Sequence, residues 1–456
     1  MAGGNRPSLV SLFAGAGGLD IGLEQAGFRT VLASEFAPHA CETLRINRSL
    51  RSRDINFDHW FALELEKRCH QRISPNAHST LLARGKRAWE ARDDFLVDAV
   101  IAEGDVRQLS KDRVLSQAAI KRGELDLMAG GPPCQPFSRS GKRETVTVDD
   151  GRLFLEFVRL VDEIRPRWFL FENVKGLAQT STDVEASRCA KCSALTLLPF
   201  ELRGTQAGDL GKCSQCGGAL KFESRAVRGG SLEIILNEFE RIGYSCKFKL
   251  LNAADFGAPQ SRERIFIVGS RDGEAFSWPE PTHSQAPKSQ LQLFASKLLP
   301  WATVKDTLWK GGHWQYGKLN ERTAVLWVKN VVRPHDEPVT WPLDRIAPTV
   351  GAHQSAKLAI APLGVPPEQL ARQQWHTQGR RQGDTPPVFV EHEYLTDDEL
   401  LALQTFPDTW YLAGTRMERA FQIGNAVPPV LAKAVGEAIA RAMGIEVSPL
   451  PELKYA

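Results

Sequence analysis

Through its first 270 residues the chain alternates short apolar runs with stretches whose apolar positions recur three and four residues apart. The runs "LVSLF" (9–13), "TVLASE" (30–35), "DAVIAEGD" (98–105), "LDLMAGG" (125–131), "WFLFEN" (168–173) and "RIFIVGS" (264–270) read as buried strands. "LDIGLEQAGF" puts Leu19, Leu23 and Ala26 on one helical face and Gly27 at its end, and "FLEFVRLVDEI" (154–164) has the same period. Strands alternating with helices predict an α/β domain around a mostly parallel sheet. Such sheets bind ligands beyond the carboxyl ends of their strands, and Glu35, Asp105, Cys134 and Glu172 fall at strand ends.

The alternation stops after Ser270. Residues 272–390 hold seven of the 11 tryptophans and many prolines, and they predict a separate, irregular, partly β domain. Helical periodicity returns in "TDDELLALQTF". It resumes after the paired prolines of "GNAVPPVLAKAVGEAIARAMG", where prolines at the start and Gly444 at the end suit a helix.

Composition adds less than pattern. The chain has 456 residues and a net charge of +3, with 42% hydrophobic and 24% charged residues, as expected of a multidomain globular protein. No apolar run is long enough to span a bilayer, and the first 18 residues lack the layout of a signal peptide. A cytoplasmic location follows as the expectation, where thiols stay reduced and eight cysteines point to metal binding or catalysis rather than disulfides. Residues 45–92 carry 11 Lys or Arg against 5 Asp or Glu, and 272–390 carry 13 against 10, so the rest is acidic. Basic segments on an acidic body are compatible with a polyanionic partner.

The chemistry gathers in a few stretches. "FAGAGG" turns from the first strand into a helix, with Gly15 and Gly17 starting a G-x-G. Position 20 is Asp, not the third glycine of the dinucleotide fingerprint. Glu35 is placed to bind ribose hydroxyls and Asp105 an adenine amino group, which together suit an adenosine cofactor without a pyrophosphate. In "GGPPCQPFS" prolines fix the backbone around a single thiol, Cys134; a thiol is mostly protonated near neutral pH and needs help to act as a nucleophile. "QSRERIFIVGS" places Arg262 and Arg264 on one side of an extended segment. "CAKC" and "CSQC" present Cys189, Cys192, Cys213 and Cys216 with the spacing of one closed, structural zinc site in a zinc-ribbon-like insertion.

With these stretches in order, the sequence resembles the DNA (cytosine-5-)-methyltransferase family of bacterial restriction-modification systems. The resemblance rests on "SLFAGAGGLDIGLEQAGF", "GGPPCQPFS", "FENVKGL", "QSRERIFIVG", "LQTFPDTW" and "QIGNAVPP", spread in the family's order over most of the chain. It implies a Rossmann-like S-adenosylmethionine-dependent methyltransferase domain (1–271), a smaller target-recognition domain (272–390) and a C-terminal return to the catalytic domain (391–456). Cys134 would add to carbon 6 of a flipped-out cytosine in double-stranded DNA and Glu172 would protonate ring nitrogen 3. Arg262 would contact the base and Arg264 would order the site. Phe13, Gly15, Gly17, Glu35, Asp105 and Asn425 would line the cofactor site; Ser138, Arg139, Arg152 and Thr349 would meet DNA. A cognate endonuclease in the same cell is implied, without a stable complex or a membrane partner.

Two departures from the family pattern stand out. Residues 45–95 form a basic helical insertion, and about 186–226 form the four-cysteine one. Neither interrupts a catalytic stretch. A tRNA-directed member of the family is the nearest alternative, but the sequence lacks that group's Cys-Phe-Thr tripeptide. A non-catalytic zinc-containing DNA-binding protein would leave the six stretches unexplained.

Overall fold

The computed structural model describes residues 6–52, 56–68, 83, 85–90, 93–133, 153–198, 211–285, 298–310, 322–327, 339–352, 358–362 and 393–445. Its centre is a seven-stranded sheet. The strands β1 (Ser8–Leu12), β2 (Arg29–Glu35), β3 (Val100–Glu103), β4 (Leu127–Gly130) and β5 (Trp168–Val174) run parallel in the spatial order β3-β2-β1-β4-β5. An antiparallel ribbon, β6 (Ser181–Cys189), β7 (Leu195–Leu197) and β8 (Leu220–Arg228), interrupts the chain before it returns as β9 (Ser245–Asn252) and β10 (Glu263–Ser270). β10 inserts antiparallel between β5 and β9, so one strand of the seven opposes the rest.

Both faces of the sheet are covered, which is why the strands read as continuous apolar runs. In β5, Phe169 and Phe171 enter one cluster with Phe157, Val161 and Phe239 from the helices Leu153–Ile164 and Gly230–Arg241. Trp168 and Leu170 face the other way, toward Leu23, Leu431 and Val435 of the helices Gly18–Gln25 and Pro429–Ala442. The period-2 alternation of one strand thus serves two cores, each large side chain contributing roughly 1.5–3 kcal/mol of burial.

The helix Gly18–Gln25 departs from the amphipathic expectation: all eight of its residues are buried, Asp20, Glu24 and Gln25 among them. Its second cover comes from the helix Pro429–Ala442, some 400 positions away, and no local pattern shows that cover. The helix Asp397–Leu403 begins with a capping box between Thr396 and Glu399. Residues 299–300, 322–327, 339–342, 358–362 and 393–394 are short strands, four of them in one antiparallel sheet whose last strand lies beyond residue 390, and the segment packs on Ala14, Ile21 and Leu44 rather than standing separate. Val304, Leu308, Leu343, Ala347 and Val350 share a core with Phe406 and Trp410. Among the described residues, no helix is long and apolar enough to cross a membrane.

Candidate active site

The carboxyl ends of the parallel strands form one edge, and Glu35, Asp105 and Glu172 stand along it. At β1 the chain enters the glycine-rich turn with positive φ at Phe13 (57°), Gly15 (55°) and Gly17 (83°). The Gly15 amide donates to Glu35 Oε2 (2.7 Å), while Glu35 Oε1 accepts from the amides of Phe36 (2.9 Å) and Ala37 (2.8 Å). Three backbone donors therefore fix Glu35 at the end of β2. Glu35 O accepts from the Gly104 amide (2.9 Å), which sets Asp105 beside it across the sheet. The Asp105 carboxylate is bound by Arg107 (2.6 Å), which holds it below the usual carboxylate range. Asn425 is exposed at the end of the helix Arg416–Asn425, beside Ala426 and Val427, which pack closely on Gly18. Phe36, 71% exposed directly after Glu35, is a flat apolar face at this end that strand patterns do not single out.

At the other end stand β4, β5 and β10. Glu172 lies opposite Phe266 in the antiparallel register, so Arg264, two residues away, shares its face. Arg264 Nε lies 3.0 Å from Glu172 Oε1, and both side chains are nearly buried. Burial raises the Glu172 carboxyl above its ordinary value, and Arg264 and Arg262 pull it partly back. The strand end of β4 is pressed against this acid: a Cβ on Gly131 would sit 2.6 Å from Glu172 Oε2, so a larger residue there must displace the carboxylate. Asn173 Nδ2 donates to Pro132 O (3.1 Å) and ties down the same turn. Cys134 is two residues further on, and it lies outside the described residues, as do Ser138, Arg139 and Arg152.

Arg262 is held differently from Arg264. It is fully buried, and its terminal nitrogens donate to Val350 O and Gly424 O (2.8 Å each). Gln260 works beside it: its Oε1 accepts from the Val350 amide (3.1 Å) and its Nε2 donates to Leu403 O (2.7 Å) and Gln404 Oε1 (3.0 Å). Gln404 in turn donates to Ile423 O (2.6 Å). Gly424 packs so tightly on Gly351 and Ala352 that a Cβ would lie 2.3 Å from Ala352. Four distant stretches are thus stitched together by buried polar groups, with Arg262 Nε the one nitrogen of its guanidinium left without a hydrogen-bond partner. Thr349 is exposed and its hydroxyl donates to Ser261 O (2.5 Å).

The four cysteines converge at the end of the ribbon. Their sulfurs all lie within 4.8 Å of one another, with Cys189–Cys216 at 3.4 Å and Cys192–Cys213 at 3.7 Å. A tetrahedral zinc with Zn–S bonds of about 2.3 Å requires S–S separations of about 3.8 Å. The amides of Lys191 and Cys192 point at Cys189 Sγ (3.3 and 3.5 Å), draw its thiol down, and would stabilise a metal-bound thiolate.

The family model described as C-5 cytosine-specific DNA methylase matches residues 8–65, 95–191 and 224–441. The chain belongs to this family. The Type II methyltransferase M.AquIA of a Picosynechococcus strain is 33% identical over 66% of this chain and 87% of its own length. M1.HphI of Haemophilus parahaemolyticus is 28% identical over 94% of this chain and 86% of its own. The solved structure of the Dnmt2 methyltransferase of S. pombe has the same fold, with a TM-score of 0.52 at 14% identity, covering 97% of this chain and 100% of that one. The protein is therefore a DNA (cytosine-5)-methyltransferase that takes its methyl group from S-adenosylmethionine. The family match passes over 66–94 and 192–223, stretches inside the two segments that the sequence sets apart as insertions.

Proposed function

We propose that this methyltransferase modifies cytosine in one double-stranded DNA sequence, as the modification enzyme of a Type II restriction-modification system, through a covalent adduct on Cys134. The supporting observation is the buried Glu172–Arg264 pair. It is pressed against Gly131 and Pro132 at the strand end that leads to Cys134. The Type II relatives support the modification role, with a cognate endonuclease as counterpart in the same cell.

Carbon 5 of cytosine is a weak nucleophile. Addition of the Cys134 thiolate to carbon 6 makes the ring enamine-like, while Glu172 gives a proton to nitrogen 3 and neutralises the developing charge. Burial raises this carboxyl above its ordinary value, which favours its proton-carrying form. Arg264, on the same face as Glu172, is the arginine suited to the base, and Arg262 is the one that orders the site. S-adenosylmethionine, when bound, supplies the methyl group that carbon 5 takes up. Loss of the carbon 5 proton to water then expels the Cys134 sulfur as thiolate, and nitrogen 3 returns its proton to Glu172, which restores the ring. The target atoms are inaccessible in stacked DNA, so the base is flipped out first.

At the cofactor end, Glu35 holds the ribose hydroxyls with the oxygen valences its three backbone donors leave free. Phe36 offers an adenine platform, and Phe13, Gly15, Gly17, Asp105 and Asn425 complete the rim. Asp105 reaches the adenine amino group without releasing Arg107, since each carboxylate oxygen accepts more than one hydrogen bond. Cys189, Cys192, Cys213 and Cys216 hold one structural zinc, which cross-links the ribbon. Ser138, Arg139, Arg152 and Thr349 are the DNA contacts in this reading, and residues 1–271, 272–390 and 391–456 are its catalytic, target-recognition and returning segments.

Expression in cells without cytosine methylation, followed by bisulfite sequencing, tests the reading. Methylated cytosine in one short sequence is expected. Unmethylated DNA from cells holding folded, cofactor-binding protein would refute it.

A further inference from the structure

We propose that the insertion skipped by the family match braces the cofactor turn, with Arg51 as a positioning residue for S-adenosylmethionine. Arg51 closes the helix Pro38–Ser52, and its side chain has no exposure. Its guanidinium donates to Asp93, to Asn47 Oδ1 (3.0 Å) and to Thr409 Oγ1 (3.1 Å). Thr409 in turn donates to Asp93 Oδ2 (3.3 Å), so the group is closed. The guanidinium carbon lies 5.0 Å from the centroid of the Trp410 ring.

Trp410 is the floor of the cofactor turn. Its Nε1 donates to Ala16 O (3.0 Å), and its ring lies 3.0 Å from where a Cβ of Gly17 would be. The line of contact runs from Asp93 to Arg51, to the Trp410 ring, to the Ala16–Gly17 backbone, and from there to Gly15, whose amide holds Glu35. A buried guanidinium needs an acid, and the acid comes from residue 93, within the stretch that the family match omits. A desolvated cation over an indole face is strongly oriented, so this group fixes the tilt of Trp410 and with it the turn. The insertion thereby acquires a task at the cofactor site through Asp93 and Arg51.

This rests on the reading that the turn binds S-adenosylmethionine, and calorimetry on the full-length protein separates the two. Replacing both members of a buried pair by apolar residues is often neutral for folding, so Arg51→Met/Asp93→Leu is the informative variant. It should bind S-adenosylmethionine about tenfold more weakly. DNA affinity should stay unchanged, and KM for the cofactor should rise while kcat at saturation stays within about twofold. Arg48→Met, on the same helix but bonded to Val97 O (3.4 Å), should match wild type. A folded double variant with wild-type cofactor affinity overturns the proposal, as does an equal loss of cofactor and DNA affinity. Should the double variant not fold, Thr409→Val removes one hydrogen bond to Arg51, and about threefold weaker cofactor binding is expected. No change there overturns the brace. Wild-type protein that binds no S-adenosylmethionine would sink the underlying reading instead.

Discussion

The four-cysteine ribbon meets the sheet domain at the helix Gly230–Arg241, where Thr182 Oγ1 lies 2.6 Å from Ser231 Oγ and Val184 joins the sheet's own apolar cluster, yet the far end of the ribbon is held by different physics. The sheet is covered on both faces by packed aromatic and aliphatic side chains, among them Trp168, Phe169, Phe171 and Phe266. Beyond Val184, which packs into the sheet domain, the buried apolar side chains of the ribbon, among the described residues, are Ala186 and Leu198 beside Cys189 and Cys213. Three short strands with so small a core need a cross-link, and four convergent thiols supply the ligands for one. The catalytic edge therefore inherits its rigidity from the sheet, and in the proposed reading the ribbon takes its own from metal. Damage in one region should leave the other standing.

The sharpest way to strain that division is chemistry without unfolding. Glu172→Gln keeps the size of the side chain and removes the proton donor. It should lower kcat by roughly 10²–10⁴ in protein that still folds, with the melting transition lowered because buried Arg264 loses its acid. Gly131→Ala should displace the same carboxylate, because its Cβ would sit 2.6 Å from Glu172 Oε2. A loss of roughly 10–10² in kcat is expected, and single-turnover kinetics would read it.

The ribbon gives the converse test. Cys189→Ser/Cys213→Ser should lose about one zinc per chain by metal analysis and expose the ribbon to proteolysis. The main thermal transition should persist, and methylation should fall by less than about tenfold. Collapse of the whole protein on zinc loss would break the comparison.

The smallest effect lies within the sheet domain. Glu24 is buried, its carboxyl accepts from the Leu96 and Thr30 amides (3.3 Å each), and burial raises its pKa from 4.5 to about 8. The folded state keeps a proton that the unfolded chain releases between those values. Its contribution is therefore complete below about pH 4.5 and is lost as pH rises through about 8. Chemical denaturation at pH 5 and 8.5 should show wild type losing stability over that range, and Glu24→Gln should flatten the slope.

Much of the sheet was legible because its strands are buried on both faces and end in chemistry. β1, β2, β4, β5 and β10 lie within a residue or two of the apolar runs. β9 was not legible: it is an edge strand with Phe248 and Leu250 exposed and lysines between, so no face reads as inward. Glu172 and Arg264 could be named from local motifs, as could the four cysteines. The part played by Arg262 could not, because its partners are backbone carbonyls 88 and 162 positions away, which carry no side-chain signature. The Arg51–Trp410 contact was hidden for the same reason, since it joins residues far apart in the chain.

The most direct test of the account is a trapped intermediate. Fluorine at carbon 5 of the target cytosine blocks the proton loss that releases the enzyme, so a covalent route must stall with DNA attached. Wild-type protein with S-adenosylmethionine and such DNA, carrying the sequence found by bisulfite mapping, should give a stable complex. Its peptide mass should place the bond on Cys134, and Cys134→Ala should give neither complex nor methylation. Methylation by Cys134→Ala, or a bond on any other residue, would contradict the account.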